Sequence, residues 1–442
     1  MSQSLVEQVR MAGVVGAGGA GFPTHIKLAA RCEVVIANGA ECEPLLQCDQ
    51  QIMTVFADRV LRGLALAMTA TGASQGVVAV KAKYSKAIAA VEQALAKIPQ
   101  SIRLHTLQDH YPAGDEQVLV YEVLGRVVPA GKLPIHVGAV VQNVHTLMHV
   151  ADAAQGQPVV DRFVTVVGEV RRPQTLRLPI GTPVSVAVEL CGGPTCDSPV
   201  IVRGGPMMGT IAEPDDVVDK TTTGLYVLPP DHPVVLSKQT PLAHSLARAK
   251  SVCEQCSFCT QYCPRYLLGH ELFPHKIMQG VGYASDVAAD VVTGAFLCCE
   301  CGLCGTLFAC PMGLSPDRYN AHLKAQMRAR GVKLPSAPCS PEPRADRSAR
   351  KVPVDTLVRR LGLERYRRPA PLQEELAAVP RVALALSQGA KAPARPVVRV
   401  GQKVRRGELV AEMNPAGVSA HVHASISGTV TSVTAQHITI EA

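Results

Sequence analysis

Cys253-Glu-Gln-Cys256-Ser-Phe-Cys259-Thr-Gln-Tyr-Cys263-Pro264 spaces its cysteines C-x2-C-x2-C-x3-C-P. This is the spacing of a bacterial-type iron–sulfur site. Three thiolates two residues apart wrap one face of a cubane, and the fourth, before a proline, ligates a different cluster. A second set is therefore required, and Cys298, Cys301, Cys304 and Cys310-Pro311 supply it. The spacing pairs Cys253, Cys256 and Cys259 with Cys310, and Cys298, Cys301 and Cys304 with Cys263. The second set departs from the pattern by having five residues between Cys304 and Cys310. Adjacent Cys299 is thus the alternative to Cys310, but a single residue separates it from Cys301, a poor chelate spacing. Structural zinc or disulfides are the competing readings of so many thiols. Two sets ending in Cys-Pro favour two [4Fe–4S] clusters.

The 442 residues are enough for two to four domains. Hydrophobic residues make up 47% without a Trp, so the cores are expected to be built from Ala, Val and Leu. The formal charge is +8. Much of the Arg lies in one late segment, and no groove-reading motif accompanies it, so no nucleic-acid partner is expected. Fifteen Cys without a recognisable signal peptide argue for a reducing compartment and metal ligation. No apolar run reaches the ~18 residues of a spanning helix.

Towards the N-terminus, Gly16-Ala-Gly18-Gly19-Ala-Gly21-Phe22-Pro23-Thr24-His-Ile-Lys27 is a Gly-rich loop before a short helix. Such a loop lets backbone N–H groups approach a phosphate. Thr24 is the expected helix cap and Lys27 the expected anion contact. The loop does not fit the Rossmann fingerprint. An apolar strand at 33–37 then runs into Asn38-Gly-Ala-Glu41-Cys-Glu-Pro44, a polar loop where α/β folds place ligand contacts. Further strands are expected at 76–80, 102–107 and 137–141, and helices at 50–72, 84–98 and 143–154. Another helix runs to 124, with Asp115 and Glu116 in its first turn. This alternation implies a largely parallel sheet.

Residues 159–228 change to short strands with one helix ending at Cys191, which with Cys196 is expected to be a free thiol. Between the thiol sets, His270 and His275 are expected as surface helix histidines. From 331 to 394 the chain is rich in Pro and Arg, with Pro335, Pro338, Pro341, Pro343, Arg344, Arg347, Arg350 and Lys351. It is expected to be a solvated linker with one helix near 354–362. The last segment is Gly-punctuated strands of a barrel-sandwich kind, without a carrier lysine in its turn. The predicted division is 1–155, 156–230, 240–330, 331–394 and 395–442.

The Gly loop, the Asn-Gly-x-Glu-x-Glu-Pro loop and the paired cysteine motifs together resemble one family across about residues 10–330. It contains the flavin- and NADH-binding subunit of respiratory complex I and the RnfC subunit of the Rnf electron-transfer complex. The resemblance implies an α/β FMN- and NADH-binding domain, a β-grasp (SLBB) domain, a helical two-cluster ferredoxin-like domain and a β barrel-sandwich domain. It implies FMN contacts from Gly16, Gly18, Gly19, Gly21, Phe22, Pro23, Thr24, Lys27, Asn38 and Glu41. It also implies an NADH-side loop carrying Asp115 and Glu116, with Asp115 in place of the Glu of complex I. In RnfC the barrel precedes the flavin domain, whereas here it follows the clusters. That order resembles the cobalamin reductases of propanediol-utilisation microcompartments. The implied cofactors are FMN and two [4Fe–4S] clusters, with NADH as donor and cobalamin as acceptor. The implied neighbours are diol dehydratase, cobalamin-processing enzymes and a microcompartment shell protein. An RnfC-like subunit and a non-catalytic cobalamin- or shell-binding module are the alternative readings.

Overall fold

The computed structural model describes residues 4–98, 101–283, 288–334, 341–388 and 392–442. The first domain is built on a four-stranded parallel sheet in the order Ile102–Leu107, Gln75–Lys81, Val34–Gly39, Ala139–Asn143. Val35, Ile36, Val77, Val78 and Ala79 are fully buried because helices cover both faces, which is why these strands read as unbroken apolar runs. The helix expected at 50–72 is two helices, Cys48–Val55 and Ala57–Thr71, breaking at Phe56. Leu5–Met11 is a short helix capped by Ser4, and it turns Val9 into the core of this domain.

The second domain is a six-stranded sheet with the helix Val184–Leu190 packed on it. One edge strand of that sheet is Leu372–Leu376, which pairs in parallel with Gln174–Pro179. This corrects the expectation of a linker over 331–394. Residues 335–340 and 389–391 lie outside the described residues, but 341–388 are folded. Val352–Pro353 pairs with His110–Tyr111, and the helix Val354–Arg360 buries Val354, Leu357 and Val358. With Leu361, Leu363 and Tyr366 these residues share one core with Leu46, Tyr111, Met207, Tyr226 and Cys301. That core joins the first domain, the second and the cysteine-bearing one. The Arg-rich stretch is matched by acids: Arg347 and Lys351 both reach Glu122, and Arg344 reaches Glu271 at 2.8 Å.

The terminal domain is two small sheets, Arg381–Ala385, His437–Glu441, Gly428–Val433 and Lys403–Val404 over Arg395–Pro396, Leu409–Glu412 and Val422–His423. Its first strand starts at Arg381, earlier than the expected 395. Every described cysteine is free, including Cys191 and Cys196. His270 is buried rather than exposed, contrary to expectation, because the chain folds back at Leu268–Gly269 and turns it toward Arg265 and Asp115.

Candidate functional site

The Gly loop is closed by an isolated bridge between Val15 and Pro23 and by Gly16 N–H donating to the Phe22 carbonyl at 2.8 Å. Gly19 and Gly21 take positive φ, +109° and +64°, which a side chain would oppose. The loop is held from outside through both backbone polar groups of one residue. Ala17 N–H donates to Thr146 Oγ1 at 2.8 Å, and buried Arg162 donates to the Ala17 carbonyl at 2.6 Å. Among the described residues, the N–H groups of Gly18, Gly19 and Ala20 donate to no protein acceptor. Three consecutive unpaired N–H donors in one Gly-rich turn fit an anion such as a flavin phosphate. Thr24 does not cap the helix Thr24–Leu28: Pro23 holds the cap position and Thr24 Oγ1 is buried without a partner. Phe22 is exposed beside it.

Gly18, Asn38, Glu41 and Asp115 line a single cleft, together with Cys42, Glu43, Asp49, Gly114, Asn143, Met208, Cys299 and Cys301. Asn38 shapes the floor by donating to the Gly114 carbonyl at 2.9 Å while accepting from Ala40 N–H. Burial, and then the nearby Asp49 carboxylate, raise Glu41 well above the usual carboxyl range. Burial lifts Asp49 to about 6, against the opposing hydrogen bond from Asn143 Nδ2 at 2.7 Å. A carboxyl that favours its protonated form can donate as well as accept a hydrogen bond, which suits the mixed edge of a heterocycle. Glu43 leaves the flavin domain altogether. It accepts from Met207 and Met208 N–H at 2.9 and 2.7 Å and so draws the SLBB loop to the mouth of the cleft.

Lys27 does not line this cleft. Its ammonium pairs with Glu116 and donates to the Val141 carbonyl at 3.1 Å, so these two expected site residues hold each other. Asp115 is the cap itself and not a first-turn residue. Its Oδ1 accepts from Gln117 and Val118 N–H, and both carboxylate oxygens bind Arg265 at 2.7 and 2.9 Å. Arg265 follows Cys263-Pro264, so this nearly buried fork joins the flavin domain to the cluster domain. Tyr111 makes a second joint, its hydroxyl donating to the Cys301 carbonyl at 2.7 Å.

The thiols fall into two groups. Cys253, Cys256, Cys259 and Cys310 line one groove near the surface, where Cys256 is exposed. Burial and then the neighbouring Cys310, Cys256 and Cys253 push the Cys259 thiol up to about 12. Cys263, Cys298, Cys301 and Cys304 are buried and crowd one another, with Cys299 among them. Among the described residues no three His, Cys, Asp or Glu side chains converge on one ion. Thiols that gather in fours without converging on a point fit ligands to the separate irons of a cubane.

Asp49, Asn143, Arg162 and Cys42 were not anticipated. Asn143 carried a signal, since an Asn before an apolar run is a helix cap. Arg162 carried none: it is the second residue of the strand Asp161–Gly168, and its partners are backbone carbonyls far away in sequence.

Residues 9–152 match the Nuo51 FMN-binding domain, 163–211 the SLBB domain, 252–315 the 4Fe-4S dicluster domain and 370–442 the RnfC barrel sandwich hybrid domain. The expected fold classes are thus present in the expected order, with FMN and four-iron clusters as the cofactor classes. The chain is 45% identical over 438 residues to the cobalamin reductase PduS of Salmonella typhimurium, covering 98% of this chain and 95% of that one. It is 44% identical over 441 residues to the cobalamin reductase PduS of Citrobacter freundii, covering 99% and 96%. A component of the Na(+)-translocating ferredoxin:NAD(+) oxidoreductase complex of Acetobacterium woodii is 35% identical over 273 residues, covering 60% and 59%.

Proposed function

The chain belongs to the PduS cobalamin reductase family, and from that premise we propose that it is an NADH-dependent reductase of cobalamin cobalt, from cob(III)alamin through cob(II)alamin to cob(I)alamin. The observation that carries the reading is the shared cleft. Gly18, Asn38, Glu41 and Asp115 of the flavin domain face the same space as Cys299 and Cys301 of the cluster domain. FMN, when bound, takes two electrons together and yields them singly, and four-iron clusters carry single electrons.

The chain's own residues bind, orient and shield. The free N–H groups of Gly18, Gly19 and Ala20 would hold the flavin phosphate, with Gly16 and Gly21 shaping the turn. Asn38 and Glu41 would hydrogen-bond the flavin from the cleft, Phe22 and Thr24 flank the loop, and Lys27 with Glu116 supports its far side. Asp115 is a positioning residue, which keeps Arg265 and hence Cys263 against the flavin domain. Cys253, Cys256, Cys259 and Cys310 hold one cluster, and Cys263, Cys298, Cys301 and Cys304 the other. The test is anaerobic: cob(II)alamin, NADH and reconstituted protein should yield the cob(I)alamin absorption, and protein stripped of flavin should not. Equal rates with stripped protein would reject the proposal.

The reading extends to location. Cob(I)alamin and low-potential clusters lose electrons to oxygen, so enclosure in a bacterial microcompartment beside diol dehydratase, against a shell protein, suits this chemistry. Among the described residues no helix is long and apolar enough to cross a membrane. The full chain, expressed beside an assembled shell, should purify with it; recovery wholly apart from shells would contradict this location.

A further inference from the structure

Two side chains stand as hydrogen-bond donors at the groove of the first thiol set. Gln255 sits at φ +50°, and the turn brings its carboxamide back onto Cys253, where Nε2 donates to Sγ at 3.2 Å. The other is His275, at the start of the helix Pro274–Tyr283, whose ring lines the groove of Cys253, Cys256, Cys259 and Cys310. Its tautomer can be deduced. His275 backbone N–H donates to Thr260 Oγ1 at 3.1 Å, and the same oxygen lies 2.7 Å from His275 Nδ1. Thr260 is buried, and among the described residues its hydroxyl proton has no other acceptor. That proton therefore points at Nδ1, which makes Nδ1 the acceptor and leaves the ring proton on Nε2. Nε2 has no protein partner among the described residues, so its N–H is free on a ring that lines the groove.

We propose that Gln255 and His275, with Thr260 fixing the imidazole, set the reduction potential of the first cluster by donating N–H to its sulfurs. The inference rests on the reading of the four thiols as cluster ligands. Reduction adds negative charge to the cluster, and donors to sulfur favour that state, so they raise the potential. Among the described residues no amide or imidazole side chain donates to the second thiol set, so the effect belongs to one cluster.

The experiment is a potentiometric EPR titration of the reconstituted full chain, with Cys256→Ser identifying the first cluster's signal by its loss. Gln255→Leu and His275→Phe should each move that cluster's midpoint to a more negative potential and leave the other in place. His275→Gln, which retains an N–H, should shift less than His275→Phe. Thr260→Val, which frees the tautomer, should shift in the same direction as His275→Phe. Unchanged midpoints in Gln255→Leu and His275→Phe at full iron content would overturn the proposal. Should His275→Phe fail to assemble, Gln255→Leu and Thr260→Val decide in the same way. A parent chain that forms no four-iron cluster would instead overturn the ligand reading beneath it.

Discussion

Asp115 shows how one side chain serves both local and global structure. Its carboxylate caps the helix Glu116–Leu124 and, at the same time, neutralises Arg265 from the cluster domain. Asp115→Asn keeps a capping oxygen but leaves a nearly buried guanidinium without its charge partner, which should cost about 3 kcal/mol. Hydrogen-exchange protection in Glu116–Leu124 reads this directly, and unchanged protection would show that the fork contributes nothing. Lys27 is subtler, because Glu116 and the Val141 carbonyl already engage it. If it also supports the flavin phosphate, Lys27→Ala should weaken flavin retention about tenfold, roughly 1.4 kcal/mol, at unchanged iron content. Equal retention would assign Lys27 to the Glu116 contact alone. The Gly loop, Asn38 and Glu41 were legible because their chemistry is written in consecutive residues. Asp49 and Arg162 were not, because each meets the site only through the fold: Asp49 through Asn143, ninety-four positions on, and Arg162 through Ala17.

At the scale of elements, the cysteine runs were the most readable part of the chain. Ligand spacing is local, and the cross-pairing follows from the proline that turns the fourth thiol away. The structure groups Cys310 with the first set and Cys299 with the second. Cys310→Ser should therefore disturb the first cluster, while Cys299→Ser should leave it intact; iron content and EPR together distinguish the two. Loss of the first cluster's signal in Cys299→Ser would reverse that assignment. The helix expected near 354–362 is present at Val354–Arg360, but the rest of 341–388 was misread as a solvated linker for a physical reason. Outside that helix its apolar residues lie among prolines and arginines and show no sustained periodicity. Yet Val354, Leu357, Val358, Leu361 and Leu363 fill a core whose other wall comes from three domains. The charges of Arg347 and Lys351 looked solvated because their shared partner, Glu122, is far away in sequence.

At the scale of the molecule, the domains are fastened by buried polar groups as well as by apolar cores. Lys220 is buried, and its ammonium donates to the carbonyls of Gly13 in the flavin domain and His421 in the barrel, each at 2.7 Å. Burial alone lowers its pKa to about 7. The unfolded chain holds that proton up to the ordinary lysine range, whereas the folded chain releases it near 7. Lys220 therefore makes stability rise with pH between about 7 and 10.5, and below 7 its full cost is present. Thermal midpoints of the parent and Lys220→Met across this range should converge at the alkaline end. Parallel curves would mean that the residue does not titrate there.

The flavin cleft and both thiol sets are proposed to form one electron-carrying unit. The most direct measurement is the anaerobic absorption and EPR spectrum of reconstituted protein before and after NADH. Reconstituted protein should hold about eight iron per chain from two four-iron clusters. NADH should bleach the flavin absorption, and reduced-cluster EPR signals should appear with it. Zinc in place of iron under reconstituting conditions, or a flavin that bleaches while both clusters stay oxidised, would contradict it.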